Sequence, residues 1–427
     1  MGRADILVAG SLLEACCIGI LALGDAGQRV PVFFALFGAA YALYLWAVRQ
    51  SDRVCLLPVV VLGVLFRATL LLAEPTLSDD IYRYVWDGRV QASGINPYVH
   101  APDSEALAHL RDAAIHPKIN HPHIPTVYPP LAQAVFLISG VVWPGVLGMK
   151  FVLVGFDMLT AWLLLGLMRR RGVPKGRLLV YFWNPLLLVE VAGQGHVDIL
   201  GVAFLVMSLL YLERERYGGA FVALGLSFLG KFFAVCMLPI AWQRVGSGGD
   251  GGGWGRKAWP ILVFWGVVLL GYLPYAEAGS RLFAALCNYL RHWEFNSLVF
   301  WLLRMLLRDG GPARIAVGAL FGGAVLALTV GRTPPLRAGY VMTGVFVWLT
   351  PTLHPWYVIW MIPFLVFHRS PAWLVFAGLV ALSYHVLIRY SAEGIWEEAL
   401  WVRGVAYGGF ALAWAGDRVW RGFKGAE

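Results

Sequence analysis

An all-α protein that crosses a membrane many times is what this sequence predicts, and three observations predict it. Hydrophobic residues make up 59% of the 427 and charged residues 14%, against about a quarter charged in a soluble domain, so too little polar surface is left to keep the chain in water. Apolar runs near the ~20 residues that span a bilayer recur from residue 5 to residue 416, with nothing between them that resembles a soluble domain. The basic residues gather beside those runs, as in "MRRRGVPKGR" and "DRVWRGFKG", the pattern of cytoplasmic loops facing anionic lipid. The net charge of +9 therefore belongs to loops and not to a nucleic-acid surface, and residues 1–427 are expected to form a single integral domain.

Taken in order, the first apolar run carries one Arg before it and no convincing cleavage site, so residues 5–24 read as a retained helix. Spans at 31–49 and 55–73 follow. With the N-terminus cytoplasmic, the third span exits on the far side, and residues 74–128 form an extracytoplasmic loop that holds Asp79, Asp80 and Asp87. The basic "MRRRGVPKGR" must then return inside after one crossing, at 146–168, which leaves "PPLAQAVFLISG" as a re-entrant or interfacial helix. Spans at 177–192 and 197–213 are joined outside by "GQGHVD". Residues 217–242 read as two half-helices broken near Gly230-Lys231, because the glycine-rich "WQRVGSGGDGGGWGRK" after them suits a flexible cytoplasmic loop. A span at 258–275 leads out to a second extracytoplasmic segment, 277–311, whose scattered charges suit an interfacial position. Spans at 313–331, 337–351, 355–367, 371–389 and 397–416 complete about twelve, place "LHPWY" outside and return the tail to the cytoplasm. No internal repeat of the kind that builds transporters is apparent.

This topology brings polar groups to one face: Asp79, Asp80, Arg83 and Asp87; Gln194, His196 and Asp198; Arg291, His292 and Glu294; and His354, Trp356 and Tyr357. Each has an ordinary structural reading beside the functional one. Two acids at a helix start serve as caps, Asp87-Gly88 suits a helix end, and "GQGHVD" suits a polar turn. Lys231 lies inside "LGLSFLGKFFAVCMLPI", where an ammonium costs roughly 2.5–3.5 kcal/mol on insertion scales, so a partner or polar cavity is expected around it. His116, His121 and His123 lack fixed metal-ligand spacing and read as a solvated loop. The five cysteines form no disulfide framework or metal motif.

The blocks "SDDIYRYVWDGRVQASGINPY", "TVYPPLAQA", "WNPLLLVEVAGQGHVDILG", "GLSFLGKFFAVCMLPI", "HWEFNS" and "LHPWYVIWMIPF", in that order, resemble the GT-C superfamily of polyprenyl-phosphate-sugar-dependent glycosyltransferases. The likeness is to bacterial mannosyltransferase-like membrane proteins and to the catalytic subunit of the first GPI mannosyltransferase, over residues 74–367. The resemblance implies a GT-C-like bundle, a sugar donor on polyprenyl phosphate and inverting transfer of a hexose, mannose first, to a lipid, glycan or protein hydroxyl. It also implies an active site outside the bacterial inner membrane, beside the first acidic loop. Relatives carry Asp-x-Asp before a Tyr where this chain has Asp79-Asp80-Ile81-Tyr82. Either Asp79 or Asp80 is then the base, and a divalent metal does not follow from the motif. Arg83, Lys231, Arg291, His292, His354 and Tyr357 are the candidates for binding donor phosphate or sugar, with Asp87, Gln194, His196, Asp198 and Glu294 as further site candidates. A transporter or flippase of a lipid-linked sugar is the alternative; it calls for polar groups spread through the bundle.

Overall fold

The structure is a computed structural model that describes residues 3–245 and 254–424. Among them there is no strand, and one isolated parallel bridge joins Phe295 to Thr352. Among the described residues six helical stretches are long and apolar enough to cross a membrane. The centre of the predicted glycine-rich loop, 246–253, lies outside the described residues.

Helices α1 (Arg3–Ala22), α2 (Val30–Val48) and α3 (Leu56–Leu71) pack together at the start. Next come α4 (Asp80–Ala92), α5 (Pro130–Val142) and the 25-residue α6 (Val146–Arg170). The expected span at 177–192 is not one helix. It is α7 (Leu179–Phe182), α8 (Pro185–Leu187) and a π-helical turn, Leu188–Gly193, all buried. Pro185 cannot continue the preceding turn, and Asn184 restarts the chain by accepting from the amides of Leu186 and Leu187.

Helices α9 (Asp198–Glu213) and α10 (Tyr217–Gly230) follow, and the break expected near Gly230-Lys231 is present. Lys231 is extended (φ −160°, ψ 132°), and a 3₁₀ stretch, Phe232–Met237, leads to α11 (Leu238–Gln243). The expected outward span is α12 (Trp254–Tyr272), which continues through the 3₁₀ stretch Leu273–Phe283 into α13 (Ala284–His292). The first half of the segment expected at 277–311 thus follows α12 across a kink at Gly279 (φ 53°, ψ −126°), and its second half is α14 (Val299–Leu307), strongly one-sided in its apolar residues. Helices α15 (Gly310–Val330) and α16 (Pro335–Leu349) fit the expected spans. The expected span at 355–367 is instead a buried 3₁₀ turn, Pro355–Trp360, with α17 (Ile362–Leu365), interrupted by Pro355 and Pro363. The chain ends with α18 (Pro371–Leu379), α19 (Val386–Glu393) and α20 (Leu400–Lys424).

The core centres on the irregular stretch 177–197, which packs on α2, α3 and α6 and on the buried turn 355–365. Buried polar bonds tie it in place. Tyr44 donates to the Val180 carbonyl and Trp183 to that of Val59. Arg67 of α3 bonds Asp157 of α6 at 2.6 Å, and Tyr181 donates to the other oxygen of that carboxylate. Removing one member of such a buried pair costs about 3–5 kcal/mol. By contrast α15 exposes Ile315, Leu320, Leu326 and Val330, a lipid-facing surface for a helix this apolar.

Two contacts set the loops around the acidic segment. Lys150 of α6, buried, donates to the carbonyls of Leu70 and Ala73, satisfying the C-terminal end of α3 just before residues 76–80. Gly195 takes φ +75°, and a side chain there would meet Ile81 Cδ1 at 2.4 Å. Glycine is thus what lets the turn 194–197 lie against the first turn of α4.

Candidate active site

Asp79 occupies the N-cap position of α4, yet its side chain makes no capping bond. It and Asp80 both accept instead from the amide of Asn120, at 2.7 and 3.1 Å. Asp79 is exposed and Asp80 partly so, though protein surrounds both: they stand in a recess that water reaches. Burial pushes both carboxyls up, and Asp80, with Asp79 beside it, rises to about 6 against the pull of Lys231 and Asn120. Two carboxylates crowded together cannot both ionise freely.

Behind Asp80 lies His196, 1% exposed, its Nδ1 3.9 Å from Asp80 Oδ2 and its Nε2 3.2 Å from Glu190 Oε2. Tyr384 donates to Glu190. The imidazole stacks on Trp356 (3.9 Å, 14°), which stacks on His354 (4.2 Å, 3°), which stacks on Phe295. Bonds between Phe295 and both Pro351 and Leu353 stitch that ladder to residues 350–354. Burial, with Lys231 nearby, holds the loop imidazole of His354 down at about 3, so it is neutral at pH 7. Gln194 joins the two loops by accepting from the Leu77 amide at 2.9 Å.

Lys231 reaches this face from the helix break. Its ammonium bonds Asp198 at 3.0 Å and lies 5.2 Å from the Tyr357 ring centre, while Trp360 donates to the other Asp198 oxygen. The Tyr357 and Tyr289 hydroxyls are 2.7 Å apart. The Lys231 side chain is 24% exposed, and one of its three N–H donors is taken by Asp198, leaving donors for an anion.

Asp79, Asp80, Gln194, His196, Asp198, Lys231, His354 and Tyr357 therefore converge. Arg83 and Asp87 do not join them. They form a buried ion pair one helical turn apart (2.8 Å), completed by Gln133 on Asp87 and the Ile124 carbonyl on Arg83. Glu294 pairs with Arg304 and Arg314 in a separate surface cluster. Arg291 and His292 are exposed at the end of α13, and the neighbouring Trp293 packs on His121, next to Asn120. They stand at the edge of the same face. Among the described residues no three His, Cys, Asp or Glu side chains gather as a metal site.

Comparison with known proteins decides the family. A profile of the MptA_B family, described as alpha-(1->6)-mannopyranosyltransferase, N-terminal domain, matches residues 2–245. The chain belongs to this family. The MptA_B assignment makes it an integral membrane protein of a mannosyltransferase family, and bears out the resemblance read from the sequence. GPI mannosyltransferase 1 of Gibberella zeae is 32% identical over 99 residues, 22% of this chain and 23% of that protein. The match thus spans less than a quarter of that relative's length.

Sequence reasoning did not pick out Asn120, Glu190, Tyr289, Trp360 or Tyr384. Glu190 carries a usable signal: a carboxylate inside "PLLLVEVAG" is as costly in apolar surroundings as Lys231. Asn120 carries none.

Proposed function

We propose that this protein transfers mannose from a polyprenyl-phosphate donor to an acceptor hydroxyl on the extracytoplasmic side of a bacterial inner membrane, with inversion at the anomeric carbon. In this reading the apolar helices form a GT-C-like membrane bundle, α4 and α13 lie at the membrane surface, and both termini are cytoplasmic. The observation that carries the reading is the Asp79–Asp80 pair, water-accessible and held by a neutral amide, beside a lysine that keeps free donors.

The acceptor hydroxyl gives its proton to Asp80 as its oxygen bonds the anomeric carbon. The bond from that carbon to the phosphate oxygen breaks, and the electron pair leaves with the lipid phosphate. A carboxyl near 6 is a stronger base than an ordinary aspartate and is still mostly ionised at pH 7. Asp79 accepts from hydroxyls of acceptor or sugar. Charge grows on the departing phosphate, and Lys231, with Arg291 and His292 at the edge and the Tyr357 hydroxyl, stabilises it. The apolar helices take up the polyprenyl chain.

The test is transfer by the purified protein in vesicles, given polyprenyl-phosphate mannose and a lipid-extract acceptor, with the product anomer read by NMR. A mannosylated product of opposite anomeric configuration to the donor is expected. Nucleotide-sugar dependence, or a product of retained configuration, contradicts the reading.

A further inference from the structure

The line Asp80, His196, Glu190, Tyr384 runs from the water-accessible recess into the core, and the established family does not account for its inner half. Glu190 is 0% exposed. Its neighbours are the Tyr384 hydroxyl, 2.9 and 3.0 Å from its two oxygens, and the His196 ring, with no Lys or Arg in contact among the described residues. A buried carboxylate with no cation is costly when ionised, so Glu190 keeps its proton and offers it to Nε2 of His196, 3.2 Å away. The nitrogen that accepts decides which nitrogen donates. His196 then carries its hydrogen on Nδ1, the atom that faces Asp80 Oδ2 at 3.9 Å.

We propose that protonated Glu190 sets the tautomer of His196, so that the Nδ1 hydrogen points at Asp80 and orients its carboxylate toward the acceptor. Asn120 holds one Asp80 oxygen and His196 the other, which fixes the plane of the carboxyl. Neither ring nitrogen has full hydrogen-bond geometry here; contacts of this kind tighten when the reacting partner is bound. The ring cannot turn away, because it is clamped flat on Trp356 and its turn is anchored by the His196 amide on the Glu190 carbonyl (2.9 Å). The other charged or titratable groups facing this end are Asp79 beside Asp80, Lys231 held by Asp198, His354 beyond Trp356, His121, and the hydroxyls of Tyr84, Tyr128 and Tyr357. Glu190 and His196 are positioning residues: neither reaches the reacting atoms.

The inference rests on Asp80 as the base, and its test separates the two. Glutamine at 190 still offers an N–H to Nε2, whereas methionine of similar volume offers none. Glu190→Gln is expected to keep kcat within about threefold of wild type with an unmoved pH profile. Glu190→Met is expected to lose ~10- to 100-fold in kcat, the size of effect a misplaced catalytic group produces, with KM unchanged within about twofold. Without the Nδ1 donor the ionised form of Asp80 loses support and its pKa rises, so the acid limb of the Glu190→Met profile moves above pH 6. Nitrogen-15 NMR of histidine-labelled full-length protein in lipid, with His196→Asn to assign the signal, is expected to show the Nδ1–H tautomer. An Nε2–H tautomer, a Glu190→Gln loss as large as that of Glu190→Met, or an unmoved acid limb in Glu190→Met overturns the positioning role. Failure of the wild type to transfer mannose, with the Nδ1–H tautomer present, counts against the function and leaves the Glu190–His196 pairing supported.

Discussion

The two ends of α4 carry the same residue type in opposite settings. At its start, Asp79 and Asp80 meet water and share a neutral amide, with no guanidinium bonded to either among the described residues. Seven residues after Asp80, Asp87 is 1% exposed and holds Arg83 and Gln133. Gly88 beside it lets α5 approach so closely that a Cβ would meet the Phe136 carbonyl at 2.3 Å. The difference teaches how to sort acids in an apolar chain. A carboxylate whose charge is already answered and sealed from water holds the fold. One that is crowded, open to water and bonded by a neutral amide has reactivity left to use.

The largest effect that sharpens this contrast is at Asp80. Asp80→Asn is expected to lower kcat by ~10²- to 10⁴-fold, the usual worth of a general base, with melting unchanged. Next, Asp87→Ala leaves the Arg83 guanidinium buried without its partner and is expected to cost about 3–5 kcal/mol of stability, read as a lower melting temperature and a smaller folded yield. If instead Asp87→Ala folded normally and lost transfer, the division of α4 would be wrong.

Asn120→Ala removes a donor shared by two carboxylates. Hydrogen bonds to charged groups are worth about 1.5–3 kcal/mol, so a ~10-fold loss in kcat/KM or more is expected in steady-state transfer assays. The pH profile gives a smaller effect with a definite sign. The base works ionised and its pKa is about 6, so wild-type kcat/KM is full above that pH and falls about tenfold per unit below it. Asp79→Asn removes the like charge that pushes Asp80 up, and its acid limb is expected to move lower. Smallest of all, Arg291→Ala with His292→Ala is expected to raise KM a few-fold with kcat unchanged, and less so at high salt, because exposed charges are well screened.

What could be read in the sequence was local. The acidic pair after an apolar run, a lysine inside one, and polar turns returning to one face were all visible as charge where charge is costly, and the chain break does fall at Lys231. The Arg83–Asp87 pair was also legible: four residues apart on a helix, two opposite charges are neighbours, which argues against Arg83 as a free phosphate ligand. Other features depend on tertiary approach. Asn120 lies 40 residues from Asp80 and Tyr384 lies 194 from Glu190, and no periodicity announces such meetings. The expected spans at 177–192 and 355–367 failed for one reason. An apolar run records burial, and a stretch buried by protein on all sides can be broken by Pro185, Pro355 or Pro363 when its freed backbone groups find partners inside the bundle.

The most direct test of the account compares Asp80→Asn with Asp87→Asn in one experiment, following transfer of labelled mannose from polyprenyl phosphate in a single turnover and normalising to folded protein. The account predicts that Asp80→Asn melts like wild type and transfers almost nothing, while Asp87→Asn folds in lower yield and each surviving molecule transfers at the wild-type rate. Transfer by folded Asp80→Asn within about threefold of wild type would contradict it.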